Sequence, residues 1–395
     1  MMKTLLRSIS AAVLTVLMTA GFSSCVHDSY PSDQSKDDDI TLLIRLGILD
    51  GPETRAEASD IECLSSVRIV LLDLDKDGEV EYNEKFSYSA PVLETEIIAI
   101  PTVKGKKQIF FIANEESVSL KGPQEESLVS LIGRYPAGAD GFEDAIKAAC
   151  FTLKPNLPLP MTSEYTLDAG RPGENNYTFY VVPAATKFTF HITNKREEGS
   201  STIQNISFGD LADVNYVMPR VGQQNRDWTY ADGSKTTLYW IDWLKNVMDN
   251  TKVPGNYEEN QRLGWIFDYA LPGGAEHKKR EMFRGAETVS GVTTAEGGDP
   301  QYETKTFGPY YRPESKALKN SSDPNGPQKY TLYLELTDGT QEKISLSREL
   351  SNITALFRNT HVVIDITLEM GYMHVYGEIQ PWDQNDVYGF LEEED

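Results

Sequence analysis

The chain has 395 residues, with 37 Lys and Arg against 60 Asp and Glu, which gives a formal net charge of −23 at pH 7. This length leaves room for two domains of ordinary size, each with its own core. So much negative charge repels nucleic acid and anionic lipid headgroups, and we therefore expect no nucleic-acid partner.

Residues 1–24 have the features of a secretory signal peptide. Lys3 and Arg7 precede an apolar stretch from about Ile9 to Gly21, which is too short for a membrane-spanning helix. Small residues then lead to Cys25, as in a bacterial lipobox, whose cysteine receives acyl chains and becomes the mature N-terminus. We expect lipidation at Cys25. An ordinary signal peptide followed by an incidental cysteine is the alternative.

Most of the chain after Arg55 has the pattern of β-strands. VRIVLLDL, residues 67–74, is apolar on both faces, as in a central strand. YTLYLELTDGTQEKISL, residues 330–346, predicts a hairpin, and THVVIDITL, residues 360–368, alternates with its apolar residues on one side. Helical patterns are few, chiefly at 126–133, 142–149 and 238–250. These patterns predict an all-β protein of sandwich architecture.

Residues 73–84, DLDKDGEVEYNE, match the calcium loop of an EF-hand. The candidate ligands are Asp73, Asp75, Asp77 and Glu84. However, an EF-hand needs a helix on each side, and this segment lies between two extended patterns. A hairpin with an Asp-Gly turn therefore explains most of these residues without a metal ion. Strict alternation still places Glu84 on the apolar face of its strand, which either a bulge near Asn83 or a calcium ion would explain.

The segment from about Met218 to Thr306 departs from the strand pattern. It contains four of the five tryptophans, namely Trp228, Trp240, Trp243 and Trp265. The stretch LYWIDWLKNVM spaces two of them as on the apolar stripe of a packed helix. A sugar-binding aromatic surface is the alternative. We expect this segment to be an insertion of helix and loops.

The chain has no pattern typical of an enzyme. Its five histidines are scattered without metal-ligand spacing, and no nucleotide-binding, phosphate-binding or hydrolase motif occurs. Besides Cys25 there are only Cys63 and Cys150, which form either one disulfide or two thiols. We therefore predict a non-enzymatic protein without a cofactor.

Several short segments, spread over nearly the whole chain, form a recognisable series. In chain order they are the lipobox ending at Cys25, ETRAEA (53–58), VRIVLLDLD (67–75), KGKKQIFFIAN (104–114), LPMTSE (159–164), VVPAATKFTFHI (181–192), FGPYYRPES (307–315), RNTHVVIDITL (358–368) and YGEIQPW (376–382). Together they resemble the fimbrillin superfamily, the major fimbrial subunits of type V pili on gram-negative bacteria. The resemblance implies two tandem transthyretin-like β-sandwich domains, with the helical and loop insertion in the second.

The resemblance also implies an assembly pathway. Such subunits reach the outer surface as lipoproteins, and an arginine-specific protease removes the lipidated leader together with the first strand. The matching bond here is Arg55–Ala56, and the strand removed is ITLLIRLGIL, residues 40–49. Its removal would leave an apolar groove with unpaired backbone groups, which a strand of the next subunit can fill. A solvated arginine in an ordinary exposed turn is the alternative for Arg55.

The donor strand in this family is C-terminal. The candidate here is HVYGEIQPWDQNDVYGFLEEED, in which Pro381 and Trp382 end the preceding strand. Its apolar donor residues are Val387, Tyr388, Phe390 and Leu391. A closing strand followed by a frayed acidic tail is the alternative.

The predicted organisation and function follow from these observations. The parts are a signal peptide (1–24), a lipidated leader with the first strand (25–55), an N-terminal sandwich (56–180), and a C-terminal sandwich (181–395) with an insertion at about 218–306. We predict a structural subunit of a fimbrium at the outer membrane and cell surface that polymerises by strand exchange and supports adhesion. Its expected partners are other copies or related pilus subunits, the maturation protease, the membrane before processing, and host or bacterial surface ligands. The alternative is a surface lipoprotein that binds glycans through residues 228–269 without polymerising.

Overall fold

The computed structural model describes residues 39–49, 59–121, 126–154, 156–170, 176–196, 199–219, 226–229, 235–238, 277–294, 300–316, 330–339, 342–350, 353, 355–370 and 372–382. The first strands are β1 (Asp39–Ile48), β2 (Leu64–Asp73), β3 (Glu79–Val92), β4 (Ile98–Val103), β5 (Gly105–Ala113), β6 (Ser119–Leu120), β7 (Glu126–Ser127), β8 (Cys150–Thr152), β9 (Met161–Ala169) and β10 (Asn176–Pro183). They are followed by β11 (Thr186–Asn194), β12 (Ser201–Ala212), β13 (Asn215–Tyr216), β14 (Arg226–Thr229), β15 (Lys235–Leu238), β16 (His277–Val289), β17 (Thr293–Thr294) and β18 (Pro300–Gln301). The last strands are β19 (Thr304–Arg312), β20 (Ser315–Lys316), β21 (Tyr330–Thr337), β22 (Lys343–Leu350), β23 (Ala355–Leu356), β24 (Thr360–Glu369) and β25 (Tyr372–Pro381). This content confirms the predicted all-β class.

Short helices connect some of these strands. They are α1 (Leu128–Ile132), α2 (Phe142–Ala148) and the 3-10 helices Asp60–Glu62, Leu74–Lys76 and Glu115–Ser117. Both α-helices match helical patterns predicted from the sequence. Within the described residues, no helix combines the length and the apolar character of a transmembrane segment.

The N-terminal sandwich is built from one seven-stranded sheet in the order β3-β2-β5-β9-β10-β1-β4. Side chains of β2 and β5 share one apolar core with side chains of β1 and β4, so the sheet folds over on itself. Within the described ladder, β9 and β10 meet through the pairs Thr162–Val182 and Met161–Pro183, where the sheet changes direction. The core therefore lies between two halves of the same sheet.

The outer face of β2 and β5 is covered by a second apolar cluster. Val70 and Leu72 of β2 pack there with α1 and α2, whereas Val67 and Ile69 face the sandwich core. This arrangement explains why VRIVLLDL is apolar on both faces. The small sheet β13-β8-β6-β7 is attached to the same cluster through Phe151 of β8.

The C-terminal sandwich consists of two four-stranded sheets, β19-β11-β24-β25 and β16-β12-β21-β22, whose facing side chains form one core. The predicted hairpin is present, because β21 and β22 pair with Leu334 opposite Leu346 and Leu336 opposite Ile344. The predicted apolar face of β24 is also buried in this core. Its members are Val362, Ile364, Ile366 and Leu368.

The range 218–306, predicted as an insertion in the second sandwich, includes residues that form regular strands of that sandwich. Strand β16 lies inside the range 218–306 but pairs with β12 as a regular strand of the sheet, and β19 also begins inside this range. The sequence of β16, HKKREMFRGAETV, looked irregular because β16 is an edge strand with few buried side chains. The predicted helix at 238–250 lies outside the described residues, apart from Leu238 at the end of β15.

The chain passes from one sandwich to the other at Ala184 and Ala185, between the end of β10 at Pro183 and the start of β11 at Thr186. Both alanines are fully buried, because the chain passes here through the contact region of the two sandwiches. Cys63 and Cys150 are not joined by a disulfide.

Candidate functional site

The first strand, β1, lies inside the N-terminal sandwich, between β10 and β4. It runs parallel to β10, with Ile48 opposite Val181. On its other side, the Thr95 backbone N–H donates to the Leu46 carbonyl at 2.9 Å, and the Leu46 N–H donates to Thr95 Oγ1 at 3.0 Å. Strand β1 therefore joins two neighbours and does not form an edge of the sheet.

Every second side chain of β1 points into the core. The four are Leu42, Ile44, Leu46 and Ile48, each at most 8% exposed. Full burial of a Leu or Ile side chain contributes roughly 1.5–3 kcal/mol, so the four together contribute about 6–12 kcal/mol. Without β1, the groove would be lined by apolar side chains of the same core, including Ile98, Ile100, Phe111, Phe179 and Val181.

In the described part of the chain, the polar side chains of β1 make weak contacts with their neighbours. The Arg45 Nε–Glu94 Oε1 ion pair measures 3.5 Å, and both side chains are about half exposed. Exposed pairs of this kind contribute about 0–1 kcal/mol. The described attachment of β1 thus rests on backbone pairing and apolar burial, which a different strand with the same alternation could supply.

The strand predicted to be removed on maturation, residues 40–49, coincides with β1. The predicted cleavage bond Arg55–Ala56 falls between the end of β1 and the 3-10 helix at Asp60–Glu62. Arg55, Ala56 and the lipidation residue Cys25 all lie outside the described residues. Lipidation and cleavage therefore stay predictions, whereas the burial of the strand between two neighbours is observed.

The remaining predicted sites lie largely outside the described residues as well. The donor residues Val387, Tyr388, Phe390 and Leu391 follow Trp382, where the described part of the chain ends. Trp240, Trp243 and Trp265 are also outside it, and Trp228 belongs to β14, which pairs with β15. The donor strand and the aromatic ligand surface both stay predictions.

Residues 73–84 form a tight turn between β2 and β3. The Asp73 side chain accepts a hydrogen bond from the Asp75 N–H at 3.1 Å, which starts the 3-10 helix Leu74–Lys76. Asp77 and Gly78 follow with φ angles of 54° and 80°, in the left-handed region. The Asp-Gly pair thus supplies the turn that the hairpin interpretation predicted.

A buried lysine neutralises the acidic side chains beside this turn. Lys107 Nζ, on β5, lies 3.1 Å from Asp73 Oδ2 and 2.7 Å from Glu81 Oε2. Burial acts to raise the pKa of Asp73, but hydrogen bonding and attraction to Lys107 outweigh it and hold this pKa below its usual value. Glu84 is exposed on the edge strand β3 and accepts a hydrogen bond from the Tyr82 hydroxyl at 2.9 Å. Within the described residues, no group of His, Cys, Asp or Glu side chains is arranged to hold a metal ion.

Strand β3 contains a bulge, but at Glu81 and not near Asn83. The register between β2 and β3 shifts next to the Leu72–Val80 pair, which leaves Glu81 as the extra residue. The bulge turns Val80 toward the helix-covered cluster and lets Glu81 reach Lys107. The edge position of β3, and not the bulge, keeps Glu84 in solvent.

A buried polar network that sequence analysis did not predict joins the two sandwiches. Arg358, 1% exposed, donates from Nε to Glu314 Oε1 at 2.8 Å, and its Nη2 contacts the same carboxylate. Its Nη1 also donates to the Val217 carbonyl at 3.1 Å and its Nη2 to the Tyr216 carbonyl at 2.7 Å. The Thr162 hydroxyl of β9 donates to the same Val217 carbonyl at 2.6 Å. One guanidinium therefore connects segments of both sandwiches.

An aromatic side chain from the end of β25 completes this junction. Trp382 is 1% exposed and belongs to the apolar core of the N-terminal sandwich. Its ring centroid lies 5.9 Å from that of Tyr311 and 5.8 Å from Lys187 Nζ, and Lys187 pairs with Glu62 at 3.2 Å. Burial and the Glu62 carboxylate raise the pKa of Tyr311. The end of β25 is thus fixed in the same core that β1 completes.

Four of the segments that carried the sequence resemblance contribute residues to this junction. Arg358 begins RNTHVVIDITL, Glu314 lies in FGPYYRPES, Thr162 lies in LPMTSE, and Trp382 ends YGEIQPW. Arg358 is 44 positions from Glu314 and 196 from Thr162, so no local pattern could have linked them. The only sequence signal for this junction was the order of these segments along the chain. In the structure, these segments contribute residues to one contact region.

Comparison with solved structures agrees with the tandem β-sandwich fold. A candidate cell adhesion protein from Parabacteroides distasonis has a TM-score of 0.50 at 10% identity, covering 87% of this chain and 97% of that chain. The tip fimbrial protein Mfa3 from Porphyromonas gingivalis, truncated at its C-terminus, has a TM-score of 0.45 at 13% identity over 87% and 100%. A fimbrial assembly protein from Parabacteroides distasonis has a TM-score of 0.41 at 11% identity over 87% and 98%. No protein-family model and no curated protein sequence matches the chain. At 10% identity, the likeness to the cell adhesion protein concerns the fold alone.

Proposed function

We propose that this protein is a structural subunit of a surface fimbrium and that it polymerises by strand exchange. The observation that carries the proposal is the position of β1, an inner strand with four buried side chains directly before a candidate cleavage bond. The fold shared with fimbrial and cell adhesion proteins supports the same class of function. No chemical step on a substrate is needed for this role, so we infer a non-enzymatic protein.

The proposed maturation proceeds in three steps. The precursor is exported and lipidated at Cys25, which holds it at the membrane surface. An arginine-specific protease then cuts between Arg55 and Ala56, and the leader leaves together with β1. The emptied groove exposes apolar side chains and unpaired backbone groups, and this cost drives the binding of a strand from another copy.

The C-terminal segment after Trp382 supplies the proposed donor. In an extended strand, side chains alternate between two faces, so the apolar residues divide into two sets. Val387 and Leu391 share one face, with Gly389 between them, and Tyr388 and Phe390 share the other. Either set offers fewer large side chains than the four of β1, so we expect the donor to bind less tightly than the original strand.

Cleavage of the purified full chain with an arginine-specific protease tests this function. We expect loss of the leader by intact mass, followed by ladders of polymers in size analysis. Arg55→Lys is the matched control, because it retains the positive charge but removes the cleavage site. Deletion of Asp386–Asp395 should leave the cleaved protein monomeric. Polymers formed by the deleted chain, or a cleaved parent that stays monomeric, would contradict strand exchange through this segment.

A further inference from the structure

A cleft of about 560 Å³ opens where the two sandwiches meet. Leu153, Lys154 and Leu159 form part of its N-terminal wall, and Arg280 and Arg312 form part of its C-terminal wall. Clefts that hold ligands in proteins usually measure about 300–1,000 Å³, so this one is large enough for several side chains of a partner.

The charge of this cleft is opposite to that of the whole chain. Lys154, Arg280 and Arg312 line it, whereas Asp213 is the one carboxylate among its described lining residues. Arg280 Nη2 lies 3.6 Å from Asp213 Oδ2, and Lys121 Nζ shares that carboxylate at 3.7 Å. Positive charge is therefore in excess within a protein whose formal net charge is −23.

Arg312 bonds to backbone carbonyls instead of a carboxylate in the described part of the chain. Its Nη1 donates to the Tyr311 carbonyl at 2.7 Å and its Nη2 to the Glu281 carbonyl, and no described carboxylate forms an ion pair with it. Burial and the neighbouring Arg280 lower the pKa of Arg312. An anion in the cleft would offset this repulsion and would fit the planar donors of the two guanidinium groups.

One wall of the cleft lies beyond the end of β1 and two strands to the side, because β10 stands between β1 and β9. Ile48 is opposite Val181 of β10, and the next residue of β10, Val182, is opposite Thr162 of β9. Leu159, in the cleft wall, precedes Thr162 by three residues. Because β9 runs opposite to β10 and β1 runs parallel to β10, Leu159 lies further in the direction in which β1 runs. Measured along the strand direction, the cleft wall is therefore about four residues beyond Ile48, or roughly 13 Å at the usual rise of a strand.

The proposed donor segment has the complementary charge. Residues 383–395 contain six acidic side chains and no basic one, and four of the acids follow one another at Glu392–Asp395. A donor that runs in the direction of β1, with Leu391 in the place of Ile48, would extend these four residues about 13 Å past the groove. They would then reach the cleft.

We propose that the cleft binds the acidic run Glu392–Asp395 of the donor strand from a second copy of this chain. The proposal rests on strand exchange as the proposed function. Lys154, Arg280 and Arg312 would hold the acidic run by charge-assisted hydrogen bonds, while the apolar donor residues fill the groove. The cleft would then select donor strands that carry acids at this distance from their last apolar residue.

Charge exchange in the full chain tests the proposal. The cleft variant carries Lys154→Glu and Arg280→Gln, the tail variant carries Glu392→Lys and Glu393→Lys, and a third protein combines both. Lys343→Glu combined with Arg348→Gln is the control, because it makes the same change in net charge at two exposed positions on β22. Each precursor is first compared with the parent by thermal unfolding, and the rate of ladder formation after cleavage is then measured.

We expect the cleft and tail variants to form ladders about tenfold or more slowly than the parent, with recovery in the combined protein and no change in the control. Carbodiimide coupling of mixed isotope-labelled and unlabelled parent chains should join Lys154 of one copy to an acid of Glu392–Asp395 in another. If the parent and both variants form ladders at equal rates, the cleft proposal is wrong and strand exchange stands. If the parent forms no ladders, strand exchange is wrong, and the cleft proposal fails with it. If glucuronic acid binds the cleft and leaves ladder formation unchanged, the cleft is a site for an acidic sugar instead.

Discussion

Strands β1 and β11 occupy equivalent positions in the two sandwiches but are held in different ways. Each is the first strand of its domain and pairs in parallel with a later strand, β1 with β10 and β11 with β24. Strand β11 is also bound by side chains. The hydroxyl of Thr186 donates to the Phe357 carbonyl at 2.8 Å, and Thr189 Oγ1 and His361 Nε2 are 2.8 Å apart. The described side-chain contacts of β1 include the exposed Arg45–Glu94 pair and the bond from the Leu46 N–H to Thr95 Oγ1, and the second of these needs only a backbone N–H from β1.

This difference concerns the proposed strand exchange, which replaces β1 and leaves β11 in place. Backbone pairing and apolar burial depend on the alternation of a strand, and many sequences share one alternation. Hydrogen bonds between buried side chains depend on particular residues, and an exchanged strand that lacked them would leave polar groups unpaired. Under the proposed function, another strand would take the place of β1, whereas a strand in the place of β11 would have to supply the same hydrogen-bonding side chains.

The largest expected effect comes from breaking the junction that leads into β24, the partner of β11. Arg358→Met would leave Glu314 buried without its partner, and we expect the free energy of unfolding to fall by about 3–5 kcal/mol. Arg348→Met removes the same group from an exposed position on β22 and should change it by less than about 0.5 kcal/mol. Denaturant unfolding of both variants measures the difference. An equal effect of the two substitutions would refute the importance of this junction.

A matched pair of core substitutions compares β1 and β11 directly. Ile44 and Ile192 are both fully buried, and Ile→Ala at either position should cost about 2–5 kcal/mol in the intact chain. After cleavage and exchange of the first strand, the cost of Ile44→Ala should disappear, whereas that of Ile192→Ala should persist. Thermal unfolding of precursors and polymers provides the measurement. Persistence of the Ile44→Ala effect in polymers would mean that β1 is retained.

A smaller effect on stability is expected when the pH is lowered, through the Asp73–Lys107 pair. This pair lies in neither β1 nor β11. The pKa of Asp73 is lower in the folded protein than its usual value. This carboxylate therefore contributes stability above the ordinary Asp pKa of about 3.9, and the contribution is lost as the pH falls through the lower folded value. When the pH is lowered from 5 to 2, the free energy of unfolding should fall less in Asp73→Asn than in the parent. If Asp73→Asn and the parent lose the same amount, the pair does not contribute to acid sensitivity.

The smallest effect is expected from calcium. Three of the four candidate ligands already have partners: Asp73 pairs with Lys107, Asp75 accepts from the Lys106 N–H, and Glu84 accepts from the Tyr82 hydroxyl. Isothermal titration with calcium should therefore give the same null curve for the parent and for Asp75→Ala. Calcium-dependent heat in the parent that Asp75→Ala abolishes would restore the calcium-loop interpretation.

Local patterns predicted a large part of the fold because strand alternation is visible within a few residues. The two apolar faces of VRIVLLDL, the hairpin at 330–346 and the buried face of β24 were all read correctly. The bulge at Glu81 was misplaced, since its position depends on the register with β2 and on Lys107 of β5. Strand β16 was missed because an edge strand buries few side chains and so has a weak apolar pattern.

The sequence by itself determined the apolar alternation of β1, the arginine that follows it, and the acidic run near the other end of the chain. Only the tertiary structure decided that β1 lies between β10 and β4, that Lys107 neutralises the acidic turn, and that Arg358, Glu314, Thr162 and Trp382 meet. The physical reason is that alternation specifies which face of a strand is buried, whereas the identity of its neighbours depends on contacts between residues far apart in the chain.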